Sequence, residues 1–165
     1  MVDFNKVGKL IIATLQKELL EQGHKDTGTL INSFEQRVIE LPNSIVIDIL
    51  MDKHGEYVND GRRKAKSKSE YVPIGVLIEW VERKGIANGD KNVKNAAYAI
   101  REKIFKEGIP TKGSFKFSNN GRRKGFIDFV IDNKLDNAIS ILEQQVFDGF
   151  DETIALFVKD FNKVN

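Results

Sequence analysis

FEQRVIELPNSIVIDIL, residues 34–50, is where the apolar period changes from helical to alternating. Phe34, Gln36, Val38 and Glu40 fall on one face of an extended chain, and Glu35, Arg37, Ile39 and Leu41 on the other. A Pro42-Asn43-Ser44 turn follows, then the β-branched run Ile45, Val46, Ile47, Asp48, Ile49, Leu50. The pattern predicts an antiparallel hairpin with Ile45, Ile47 and Ile49 on one face.

Outward from the hairpin, the periods are helical. Upstream, Phe4, Val7, Ile11, Ile12, Leu15 and Leu19 recur at helical spacing over 3–22, with Asp3 as cap and Gly23 as stop. Thr27 to Asn32 is expected to form one or two turns capped by Asp26. Downstream, Pro73 opens a helix through Ile74, Leu77, Ile78, Trp80 and Val81 that ends near Gly85, and Asn92 to Glu107 is a second helix stopped by Gly108-Ile109-Pro110. From Phe126 the period stays helical through Leu135, Ile139, Leu142, Val146, Phe150, Ile154, Phe157, Val158 and Phe161. Asp132-Asn133 and Gly149 mark expected breaks. The expected fold is α+β: a small antiparallel sheet near 34–50 flanked by helices. It forms a single domain over 1–165 with a helical C-terminal extension from about residue 126.

Composition narrows function. Twenty-six Lys and Arg against 24 Asp and Glu leave a formal charge of +2, so nucleic-acid contact would have to rest on local clusters. Without cysteine there is no disulfide, thiolate metal ligand or Cys nucleophile. The N-terminal stretch lacks a secretory apolar core and nothing approaches a membrane span, so synthesis in the cytosol without bilayer insertion is expected.

Two GRRK tetrapeptides stand out: Arg62, Arg63 and Lys64, extended by Lys66 and Lys68, and Arg122, Arg123 and Lys124. Arginine suits bidentate phosphate contact, and a polar loop can follow a nucleic-acid backbone. Equally, such loops are solvated or meet carboxylates on a neighbouring subunit. Aromatics for base stacking are sparse: Tyr71 near the first cluster, Phe115 and Phe117 near the second. Residues 61–70 hold no apolar side chain larger than alanine. They are expected to be mobile until an outside partner, phosphate or acidic protein, orders them.

Chemistry-bearing motifs are otherwise missing. His24 and His54 lie in polar segments without HExxH or His-x-His spacing, and read as surface or hinge residues. Asp128 and Asp132, four apart, have a spacing that suits Mg²⁺ but more commonly marks a solvated face. Ser67, Ser69, Ser114, Ser118 and Thr27 have no nucleophile elbow, and the glycines form no P-loop. No catalytic residue, metal or cofactor is expected.

In order, the chain shows Gly23-His24, then Asp26-Thr27-Gly28-Thr29-Leu30-Ile31-Asn32-Ser33 before the hairpin, then Gly55-Glu56-Tyr57-Val58-Asn59-Asp60-Gly61. The Trp80 helix with Arg83-Lys84-Gly85 follows, and then Ala97-Tyr98-Ala99-Ile100-Arg101 leading to Gly108-Ile109. This set resembles the tail-completion, or head–tail connector, proteins of tailed bacteriophages over roughly residues 1–130. There a TG-x-L-x-x-S segment precedes a hairpin, a turn running from a Tyr to a Gly follows, and an A-x-x-I-x-x-x-I-x-x-x-G-I helix closes the pattern. The resemblance implies a non-catalytic virion protein, an α+β subunit of a sixfold or twelvefold ring that contacts other neck or tail proteins and, through the basic loops, passing DNA. Tyr57 and Trp80 are large amphipathic rings suited to anchor either the core or an assembly contact. The 62–70 loop is more highly charged, and the helical tail longer, than that family leads one to expect.

Overall fold

The hairpin is present. β1 (Glu35–Leu41) and β2 (Ser44–Leu50) pair antiparallel in a register that sets Val38 opposite Ile47 and Ile39 opposite Val46, closed by a two-residue turn at Pro42-Asn43. The computed structural model describes residues 3–164, with side-chain surroundings given as far as residue 155. Directly paired residues share a face. Val38, Ile47 and Ile49 are accordingly half-buried on the side of the helix α1 (Phe4–Glu21), while Leu41, Val46 and Leu50 lie exposed on the other face.

The Asp3 carboxylate caps α1 by accepting from the Lys6 amide at 3.1 Å, and α1 buries Val7, Leu15 and Leu19. The main core joins Leu15 and Leu19 to Leu30 of the short helix α2 (Thr29–Asn32), to Phe34, and to Phe126 and Val130 of a later helix. Phe34 meets Phe126 edge to face, with ring centroids 6.5 Å apart. Phe126 is wholly buried, and full burial of such a ring contributes roughly 2–3 kcal/mol.

Residues 54–60, where the resemblance implies a turn, form a helix, α3 (His54–Asp60). Asp52 explains it, because its carboxylate accepts from the His54 amide at 2.7 Å and supplies a start signal just upstream. Next, α4 (Ile74–Arg83) and α5 (Asp90–Glu107) pack on each other through Leu77, Val81, Val93 and Ala97, a second apolar cluster. The break expected at Asp132-Asn133 ends α6 (Phe126–Asn133), and α7 (Asp136–Val164) completes the chain. Together this is an α+β architecture, largely helical with one small antiparallel hairpin.

Three further expectations are corrected. Gly149 does not divide the C-terminal region, since α7 runs through it. One interior glycine costs only about 1 kcal/mol relative to alanine, and Thr153 donates to the Gly149 carbonyl without interrupting the helix. Asp26 does not cap α2. That helix starts from Gly28 at φ +81°, and the Asp26 carboxylate instead accepts from Arg83 at 2.7 Å and pairs with Lys84 at 3.2 Å. Nor is 61–70 loose, because its backbone is bound to the end of α5 as set out below. The apolar side chains of Phe157, Val158 and Phe161 lie outside the described residues. Among those described, no helix is long and apolar enough to cross a membrane.

Candidate functional site

The first GRRK segment is fastened through its backbone. The Arg62 amide donates to the Ile109 carbonyl and the Ile109 amide to the Arg62 carbonyl, each at 2.7 Å, and the Ala65 amide donates to the Phe105 carbonyl at 3.0 Å. Glycines at both ends permit this close approach. Gly61 has φ +74° and ψ −166°, Gly108 φ +85° and ψ −163°, a region of backbone space that only glycine enters readily. The Arg62 guanidinium turns inward to the Glu70 carbonyl, and Arg63 lies 3.8 Å from the Glu70 carboxylate while largely exposed. That ion pair contributes less than about 1 kcal/mol. Lys64, Lys66 and Lys68 point to solvent, without an ion pair among the described residues. Tyr71 is not free to stack on a base. It lies against the Phe105 ring and the Arg101 guanidinium, and its hydroxyl donates to Glu102 at 2.6 Å.

In the second GRRK segment the arginine side chains are turned inward. Glu18 of α1 is fully buried, and its carboxylate accepts from Lys134 at 2.8 Å, Asn120 at 2.9 Å, Gln22 at 3.0 Å and Arg122 at 3.2 Å. Burial by itself would raise the pKa of that carboxyl. The hydrogen bonds from Lys134, Gln22 and Arg122 outweigh it and hold the group below the ordinary carboxylate value. Arg122 also covers the Phe129 ring at 3.4 Å from its centroid. Arg123 donates to the Gln22 carbonyl at 2.7 Å, and burial lowers its pKa. Of this triplet only Lys124 is exposed, the two arginines being half-buried.

Arg123 also forms one wall of a cleft of about 220 Å³ lined by residues 23–31, His54, Val58, Trp80 and Lys84. Both histidines are there. The His24 ring sits 3.1 Å from the Arg123 carbonyl through Nε2, which donates in the neutral tautomer. Burial first, then the Arg123 charge, push its pKa down to about 4, so the ring is neutral near pH 7. The Thr27 and Thr29 hydroxyls bond each other at 2.7 Å. Thus the His24 imidazole and the two hydroxyls are engaged separately, and Asp26 is engaged by Arg83 and Lys84. Trp80 is half-buried between this cleft and the α4–α5 cluster, whereas Tyr57 is 65% exposed on α3, which removes it from the core.

Asp128 and Asp132 are both exposed, and Asp128 accepts from Asn59 at 3.2 Å. Among the described residues, no group of three or more acidic or histidine side chains is close enough to hold a metal ion.

Three buried polar residues, Glu18, Gln22 and Asn59, were not singled out from sequence. Glu18 reads there only as an interruption of an apolar stripe. Asn59 joins α3 to α6: its side-chain carbonyl accepts from the Ile127 amide at 2.9 Å and its backbone carbonyl from Gly125 at 2.7 Å, capping a helix far off in sequence. Glu18 with Gln22 four residues on, at helical spacing, is the one signal the sequence carries. Comparison with protein-family models, with curated proteins and with solved structures finds no match to this chain.

Proposed function

We propose that this chain is a non-catalytic structural protein of the neck of a tailed bacteriophage. In this reading it is a tail-completion or head–tail joining component, made in the host cytoplasm and assembled in the virion as a sixfold or twelvefold ring. Beside the resemblance in motif order, the observation that carries this reading is the apolar surface the chain leaves outside its own cores. The outer face of the hairpin exposes Leu41, Val46 and Leu50, and the two strands have no third partner among the described residues. Tyr57 on α3 and the middle of α7, through Val146, Phe147, Phe150 and Ile154, add to it. Unpaired strand edges and exposed apolar faces of this kind are where chains assemble.

The alternative, nucleic-acid binding through both basic loops, is the weaker reading, because Arg62, Arg122 and Arg123 are used internally. What remains for phosphate is Arg63, Lys64, Lys66, Lys68 and Lys124.

Deleting the reading frame from the genome that carries it tests the proposal. The expected outcome is separate heads and tails under the electron microscope, with the protein present by mass spectrometry in wild-type particles. Intact infectious particles from the deletion would overturn it. A variant with Lys64, Lys66 and Lys68 replaced by Gln separates the two readings: normal joining with poor DNA retention favours phosphate contact, whereas failed joining favours a protein neighbour.

A further inference from the structure

The even overall charge conceals a strong separation. Residues 61–116 contain fourteen Lys and Arg against six Asp and Glu, while residues 136–155 contain five acids, Asp136, Glu143, Asp148, Asp151 and Glu152, and no cation. The acidic segment is the first two-thirds of α7, whose 29 residues make a helix about 43 Å long. It runs antiparallel to α1. Lys134, just before α7, binds Glu18 near the end of α1, and Gln145 accepts from the Asp3 amide at its start at 2.8 Å. Beyond Gln145 the helix has run past α1.

Its side chains agree. Ala138 is buried and Leu142 and Gln145 half-buried, on the face toward α1. Ile139, Val146, Phe147, Phe150 and Ile154 form a second stripe, rotated away from that face and exposed, with Phe147 at 67% and Phe150 at 64%.

The complementary surface lies at the other end of α1. The 3-10 turn Lys112–Phe117 is held there by the Asn119 amide donating to the Glu21 carbonyl at 2.7 Å. Phe115 and Phe117 are exposed on it, flanked by Lys112 and Lys116, and the Lys103 side chain lies against Gly113. None of these three lysines makes an ion pair among the described residues.

We infer that the stretch of α7 from Val146 to Ile154 docks on the basic, aromatic 103–117 face of a second copy of this chain, head to tail. Three observations select that occupant. An acidic apolar helix is matched in both charge and apolarity by the lysine-rimmed phenylalanines. Side-by-side pairing of two such helices over residues 136–155 would set acid against acid, with no cation in that stretch to offset it. Donor and acceptor stand at opposite ends of α1, about 27 Å apart along its axis, so they do not meet within one chain. A contact between different patches is heterologous, and it repeats from copy to copy until it closes. The inference rests on the assembly reading above and adds the contact that builds the ring.

Full-length protein in low salt, followed by sedimentation velocity over rising concentration, tests it. Wild type is expected to associate. A donor variant, Phe147→Ser with Phe150→Asp, and an acceptor variant, Lys112→Glu with Lys116→Glu, should each associate about tenfold or more weakly. Mixing the two leaves one intact donor and one intact acceptor, so a one-to-one dimer should form and grow no further. All four side chains are exposed; circular dichroism checks folding, and Phe150→Ser and Lys116→Gln serve if either double variant unfolds. The inference is overturned if the acceptor variant associates like wild type, as pairing between α7 helices requires. It is equally overturned if the donor variant does so, or if wild type stays monomeric because a different protein occupies the stripe. A ring that survives both variants sinks this contact while the neck reading stands; the deletion phenotype judges that reading separately.

Discussion

Gly61-Arg62-Arg63-Lys64 and Gly121-Arg122-Arg123-Lys124 are the same four residues, begun by glycines with the same φ of +74°, and the fold uses them in opposite ways. The first is held by its backbone against Ile109 and sends most of its charge outward. The second is held by its side chains against Glu18 and the Gln22 carbonyl, and sends most of its charge inward. A cationic tetrapeptide therefore carries no function of its own. What decides is whether a buried acceptor lies within reach of an arginine, since a buried carboxylate must be paired and hydrogen-bonded.

The sharpest way to separate the two is at their glycines. A side chain at Gly61 would meet the Ile109 carbonyl and hold a backbone conformation reserved for glycine, whereas Gly121 faces open space. Gly61→Ala should cost about 4 kcal/mol and Gly121→Ala about 1 kcal/mol in denaturant melts. Equal costs would show that the first loop is not fastened as described. Next in size is the acceptor of the second loop. Glu18→Ala leaves Arg122 and Lys134 facing a buried gap and should cost about 3 kcal/mol. Arg63→Ala in the first loop should be nearly silent.

Acid offers a smaller, graded test. His24 has its pKa lowered from 6.5 to about 4, so as pH falls the unfolded chain takes up the proton first. The stability from the neutral ring is complete above pH 6.5 and is lost progressively down to about pH 4. The loss should be about 1–2 kcal/mol once partial solvent exposure is allowed for. His24→Gln should flatten the melting temperature across that window. Glu18 and Asp26, both held below their ordinary values, act only at lower pH. The smallest effect is expected for Lys64, Lys66 and Lys68 changed together to Gln, within about 0.5 kcal/mol of wild type. A larger loss in the isolated chain would mean that these lysines already have partners.

The hairpin, the long helices and the break at Asn133 were legible because each depends on local periodicity, which a sequence displays directly. The loop at 61–70 was misread for the reason that makes such segments hard. Its own composition offers no apolar surface, but two backbone hydrogen bonds to Ile109 and one to Phe105 order it, and those partners lie some 40 residues away. Tyr57 and Trp80 were legible as large rings but not as exposed and half-buried. Burial depends on what packs opposite, not on the ring itself.

For this protein the sequence by itself determined the fold class, the positions of most elements and the absence of cysteine chemistry, all properties of residue type and spacing. Only the tertiary structure decided which charges are free. The structure brings Glu18 to Arg122 across 104 residues, sets Asn59 beneath α6, and lets α7 run past the body with an apolar face uncovered. The reason is the physics of buried polar groups: a charge in water needs no particular neighbour, while one inside the fold must find its partner wherever the chain happens to return.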